Sequence, residues 1–177
     1  MNPEITAERI KQWLPGSFPG DMAIEPVEIT DEVATGRMVV DKRHLHPGGF
    51  VHGGVWTALG DSVAAWATFR NMPAMHDFTT IELKLNVFGA AVLGDELVCE
   101  ARPLHVGRST AVIEAKIRRE HHQTGHSSLR SERPRIVANL IVTQFILPGR
   151  DPRAERPAPG RDPRAERPAP GDYPPGD

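Results

Sequence analysis

Residues 53–69 read GGVWTALGDSVAAWATF, and their reading decides the fold. The run is apolar on every helical face, with Asp61 its only charge. A helix without a polar face has to be enclosed. At 17 residues with three glycines the run is a poor membrane span, so protein must enclose it. The flanking sequence supplies the enclosure. Residues 22–30 and 33–41 read as two strands around Thr30-Asp31-Glu32; in the second, Ala34, Met38 and Val40 share one parity and Thr35 and Arg37 the other. Residues 79–87 (TTIELKLNV) alternate strictly. Ile81, Leu83, Leu85 and Val87 are expected to face one way and Thr80, Glu82, Lys84 and Asn86 the other, as in a half-buried antiparallel strand. Residues 96–105, 109–119 and 135–147 are three more strands rich in Val, Ile and Leu, with Gly107-Arg108 at the turn between the first two. Two strands, one enclosed helix and four strands predict an α+β fold: one antiparallel sheet of about six strands wrapped around a central helix.

Outward from this core the sequence divides into three parts. Residues 1–20 form an N-terminal helix and connector: Ile5, Ile10, Trp13 and Leu14 make 5–14 amphipathic, and Pro15-Gly16 stops it. Residues 21–148 form the domain. Residues 149–177 form a tail in which the unit GRDPRAERPAP occurs twice without change. Eight of the 17 prolines fall there, three per unit, which excludes a helix of eleven-residue period. The tail carries six basic and six acidic residues and one large apolar side chain, Tyr173, so it is expected to be disordered. Residues 120–134 are polar and are expected to form a long hairpin loop. Their His121, His122 and His126 lack the Cys or carboxylate–histidine spacing of a metal site, and no metal is expected.

Composition excludes several classes of function. The net charge of -2 provides no polybasic footprint for nucleic acid. One cysteine, Cys99, excludes an intramolecular disulfide framework and fits a reducing compartment. No apolar run reaches a membrane span, and Met1-Asn2-Pro3-Glu4 lacks the basic-then-apolar layout of a leader, so the expected location is cytoplasmic.

Asp61 carries the chemistry. A lone carboxylate in an apolar helix loses hydration and should have a raised pKa. It either meets a structural partner, such as a hydroxyl or Arg, or acts as a general base or nucleophile in a dry site. The helix start is the second feature. His52-Gly53-Gly54 follows the loop His46-Pro47-Gly48-Gly49-Phe50-Val51. A helix N-terminus offers unpaired N–H groups and partial positive charge, and glycines admit a ligand to that backbone. Such an end can hold a phosphate or the oxyanion of a carbonyl under attack. Gly53 and Asp61 are eight residues apart, roughly 12 Å along the helix axis. One small carbonyl cannot touch both within one chain. If both act on one substrate, two subunits share the site, and the chain is an obligate dimer.

The stretch GGFVHGGVWTALGDSVAAWA (48–67) resembles the hotdog-fold acyl-CoA thioesterases, close to the phenylacetate-type (PaaI-like) group. The resemblance lies in the order Gly49, two residues, His52-Gly53-Gly54, six residues, Asp61, and extends over roughly 20–147. PLHVGRST (103–110) is similar to the family's strand-turn segment that approaches coenzyme A. The resemblance implies a hotdog fold, a homodimer that often doubles to a homotetramer, and hydrolysis of acyl-CoA to a free acid and CoA. It implies that Asp61 activates water or attacks directly, that Gly53 N–H polarises the thioester oxygen, that His52 shapes the loop, and that Gly54 beside it contacts the substrate. Thr80 falls near a family hydroxyl that orients the water. Gly107, Arg108 and Ser109 fall where CoA's phosphates or pantetheine arm would approach, and Arg suits phosphate by geometry and permanent charge. His46 stands where many members have Asn. Imidazole can still donate a hydrogen bond there, or His46 is an ordinary loop residue.

Three functions are weighed. Thioester hydrolysis leads, with the acyl group in an apolar crevice between subunits, lined from Val55, Leu59, Trp56 or Phe88. An acyl-CoA hydratase or dehydratase on the same fold would pair His46 with Asp61. A non-catalytic acyl-CoA binder would leave Asp61 without a task. In each, CoA is part of the substrate and no separate cofactor is expected. The partners expected are the acyl-CoA and further copies of the chain.

Overall fold

The computed structural model describes residues 1–120 and 135–148. The polar stretch with His121, His122 and His126 and the duplicated tail lie outside the described residues. Strands β1 (Glu25–Ile29) and β2 (Ala34–Val39) precede a 3-10 turn at Lys42–His44 and the central helix α3 (Gly53–Asn71). Strands β3 (Asp77–Val87), β4 (Glu96–Val106), β5 (Thr110–Glu120) and β6 (Arg135–Leu147) follow. They make one antiparallel sheet in the order β1-β2-β4-β5-β6-β3. The concave face holds α3, as a helix apolar all round requires. Met38 on β2, Leu97, Cys99 and Ala101 on β4, Ile113 and Ile117 on β5, and Leu140 and Val142 on β6 bury against Val55, Leu59, Val63 and Trp66 of the helix.

The fit is close where the helix meets the sheet. A Cβ on Gly60 would lie 2.5 Å from Leu140 Cδ2, so glycine lets the helix sit directly on β6. The N-terminal segment closes the helix's far end. Helix α1 is Ala7–Trp13, capped by Thr6, whose hydroxyl accepts from Arg9 N–H at 3.2 Å. A four-residue turn of helix, α2 (Phe18–Asp21), follows with Ser17 as its cap. Arg70, in the last turn of α3, holds this segment down. It donates to Asp31 at 2.6 Å and to the Pro3 carbonyl at 2.8 Å, and its own carbonyl accepts from Asn2 N–H at 2.7 Å.

Strand β3 departs from the sequence expectation. It is an edge strand, and Ile81 is 58% exposed rather than half-buried. A register shift between Thr80 and Glu82 makes Ile81 the extra residue of a β-bulge. Beyond it, Leu83, Leu85 and Val87 lie opposite the concave-face residues Val142, Leu140 and Ala138. Before it, Thr80 lies opposite Gln144, which is also on the concave face. One inserted residue reverses the parity of everything that precedes it. Thr80 therefore faces the helix with Leu83, not away from it as strict alternation predicts.

Substituting Gly60→Val should overpack the helix–sheet contact by about 1–3 kcal/mol. For a chain of this size the melting temperature should fall roughly 2–4 °C for each kcal/mol. A thermal melt that matches wild type would show that Leu140 yields freely.

Candidate active site

Sheet curvature leaves one stripe of α3 uncovered within the chain. Gly53, Gly54, Thr57, Asp61 and Ala65 are exposed or half-buried, while Val55, Trp56, Ala58, Leu59, Ser62, Val63, Ala64 and Trp66 are buried. The stripe faces the seam beside β3. There Thr80 Oγ1 donates to Asp61 Oδ1 at 3.1 Å. Burial pushes the Asp61 carboxyl above its ordinary value, and the Thr80 hydroxyl partly offsets this by bonding to the charged form. The other thiol or acid chemistry in the core is closed off: Cys99 is fully buried, and burial, with Glu100 adjacent, pushes its thiol far up.

A groove of about 320 Å³ opens beside Asp61, between α3 and the N-terminal segment. Ile10, Trp13, Leu14, Phe18, Pro19, Trp66 and Phe69 line it, and Asp61 is its one charged residue. Trp13 packs edge-on to Phe69 at 5.7 Å, and Phe69 to Phe78 at 4.7 Å. Val55, Trp56 and Leu59 point into the core and cannot line an open site. Phe88 is 65% exposed but follows the far end of β3, eight residues from Thr80. It shares the Gly53 end of the domain, where Val51 N–H bonds to the Ala91 carbonyl.

The helix start is built by histidines. His52 caps α3, and its Nδ1 accepts from Gly54 N–H at 3.0 Å. Gly54's donor is thereby used, while Gly53 N–H meets no acceptor among the described residues. In the preceding loop His46 Nδ1 accepts from Gly48 N–H at 2.9 Å, and Gly49 turns the chain at φ +83°. With Nδ1 accepting, each neutral ring carries its proton on Nε2, a donor directed away from the turn. His44, which the sequence reading did not single out, is fully buried. It accepts from Asp41 N–H at 2.9 Å and its Nε2 lies 3.1 Å from the Met22 carbonyl. Its own carbonyl accepts from His52 N–H at 2.9 Å, so it anchors the cap.

Gly107, Arg108 and Ser109 form the β4–β5 turn, with Arg108 and Ser109 exposed. Ser109 carbonyl accepts from Ile146 N–H at 2.9 Å, which puts the turn at the Asp61–Thr80 end of the sheet. Within one chain the structure thus gathers Asp61, Thr80 and this turn at one end, and His46, His52, Gly53, Gly54 and Phe88 at the other. Sequence reasoning missed Gln144. The signal available was a polar residue on the buried parity of IVANLIVTQFIL (136–147).

The model of the thioesterase superfamily matches residues 48–126. A Caenorhabditis elegans protein whose name reads "putative esterase" is 30% identical over 122 residues, covering 66% of this chain and 72% of that one. The chain belongs to the thioesterase superfamily. It is a thioester hydrolase, and its wrapped helix is the hotdog fold of that superfamily. The Haemophilus influenzae thioesterase HI1161 superposes with a TM-score of 0.70 at 20% identity, over 84% of this chain and 94% of that one. The Escherichia coli PaaI protein gives 0.66 at 17%, over 80% and 93%. A Streptococcus pneumoniae thioesterase solved with coenzyme A gives 0.60 at 22%, over 72% and 88%.

A carboxyl whose folded pKa is raised binds more protons folded than unfolded between the ordinary value, 3.8, and the raised one. Stability therefore falls as pH rises through that window. Asp61→Asn should melt higher than wild type at neutral pH, and the gain should vanish near pH 3.8. An Asn variant that melts lower at pH 7 would contradict a burial cost at this carboxylate.

Proposed function

We propose that the chain hydrolyses acyl-CoA thioesters at a site shared by two subunits. The observation that carries this is the Asp61–Thr80 pair, set on the open stripe of α3 beside an apolar groove. Thr80 holds one carboxylate oxygen and leaves the other for a water molecule. The water oxygen attacks the thioester carbonyl carbon, and its proton passes to Asp61. The oxyanion that forms accepts from Gly53 N–H at the positive end of α3. The carbon–sulfur bond breaks, and the sulfur of CoA takes the proton back from Asp61. The apolar acyl part occupies the groove between α3 and the N-terminal segment. CoA is part of the substrate, with its phosphates toward Arg108 and Ser109 and no separate cofactor.

Two observations support the shared site. Gly53 and Asp61 are eight residues apart on one helix, roughly 12 Å along its axis. The free edge of β3 is eleven residues long and carries the exposed Ile81 and Val87, an edge that proteins seldom leave open to water. Pairing two copies across this edge by a two-fold axis brings each Asp61 stripe toward the other's helix start, and Phe88 travels with it. The homodimer can double to a tetramer. The coenzyme A bound by the S. pneumoniae thioesterase supports the ligand class. We place the enzyme in the cytoplasm, a reducing compartment that suits a chain with one cysteine; among the described residues no helix is long and apolar enough to cross a membrane.

Release of free thiol from a panel of short, medium and aromatic acyl-CoAs tests the reaction. Asp61→Asn should lower kcat about 10²- to 10⁴-fold. Wild type that hydrates a 2-enoyl-CoA and releases no thiol would overturn the proposal in favour of a lyase. Single turnover in labelled water should leave no label in Asp61; label there would replace water activation by direct attack. Subunit sharing is tested by complementation. Gly53→Pro removes the N–H while suiting a first helical position. Heterodimers of Asp61→Asn with Gly53→Pro should recover about half the wild-type activity, because one of their two sites is intact. Heterodimers as inactive as either parent would place each site within one chain.

A further inference from the structure

Gln144 lies on the concave face of β6, fully buried, and neither its Oε1 nor its Nε2 meets a hydrogen-bond partner among the described residues. Its neighbours on that face, Leu140, Val142 and Ile146, are all apolar. An amide kept in such a place without a partner destabilises the fold, and an apolar side chain of the same length would fill the space at no such cost. The register shows what stands beside it. Gln144 pairs with Thr80 on β3, and both face the helix. Side chains opposed in this way have Cβ atoms about 4.5–5.5 Å apart, within reach of a glutamine. Thr80 spends its one hydroxyl proton on Asp61 Oδ1, which leaves its oxygen free to accept. The amide of Gln144 has two donors.

We infer that Gln144 is a positioning residue of the hydrolytic site. Its amide donates through one internal water to the Thr80 hydroxyl and holds that hydroxyl in the orientation that donates to Asp61. The inference rests on the hydrolysis proposed above, with Asp61 as its base. A merely structural role is the alternative, for example a water shared with Thr68, whose Oγ1 is also buried without a partner among the described residues. That role would affect stability and leave turnover alone.

The full chain with Gln144→Met separates the two. It should melt at or above the wild-type temperature, keep KM, and lose kcat about tenfold, the rate equivalent of one lost orienting hydrogen bond. Combined with Thr80→Val, the Gln144→Met effect on kcat should vanish, because the two residues act in series. Wild-type kcat in Gln144→Met, or an undiminished loss in the Thr80→Val background, overturns the inference. Should the Met variant not fold, Gln144→Leu is read in the same way. Wild type that releases no thiol overturns the hydrolysis and this inference together. Activity that Asp61→Asn abolishes and Gln144→Met leaves intact overturns this inference alone.

Discussion

The burial of α3 is the constraint on which the other features rest. Its apolar side chains point in nearly every direction, so a flat sheet on one side would leave half of them in water. The sheet must curve, and a curved sheet of six strands still ends somewhere. It ends at β3, and the stripe of helix left uncovered at that seam is the stripe that carries Gly53, Thr57, Asp61 and Ala65. The carboxylate is therefore half in the core and half at an opening. That position raises its pKa and leaves it open to the groove.

The N-terminal segment gives the opening a second wall. Helix α1 has too few residues to be stable alone, and it depends on packing and on the Arg70 bonds that tie the chain's start to the end of α3. Once docked, it supplies Ile10, Trp13 and Leu14 to the groove, and α2 supplies Phe18 and Pro19. This wall of the groove is made of residues outside the superfamily match at 48–126, while Trp66 and Phe69 on the α3 side lie inside it.

The polar groups divide by purpose. His44 and His52 satisfy backbone donors and keep the helix start rigid, so that Gly53 N–H stays unpaired and exposed. Thr80 holds the Asp61 carboxylate in the same way, at the other end of the uncovered helix stripe. These bonds stabilise the fold; the cost lies in what is left open, the unpaired Gly53 N–H and the half-buried Asp61 carboxylate.

Much of this was legible in the sequence. The order of strands and helix, the concave parity of Ala34, Met38 and Val40, and the suspicion attached to Asp61 all follow from periodicity and from the cost of a lone buried charge. These are local properties, set by residues within a turn or two of one another. The direction of Thr80 was not legible in the alternation. Strict alternation of TTIELKLNV turns it away from the helix, and only pairing with β6 reveals the bulge at Ile81 that turns it back. Nor could the sequence tell that Val55, Trp56 and Leu59 face the core while Trp13 and Phe18 line the groove, because a helix apolar on all sides carries no mark of which side the sheet leaves open. The sequence by itself determined which elements form and which carboxylate is out of place. Tertiary pairing decided what that carboxylate touches, because a strand's register and a helix's rotation against a sheet are set by contacts between residues distant in the chain.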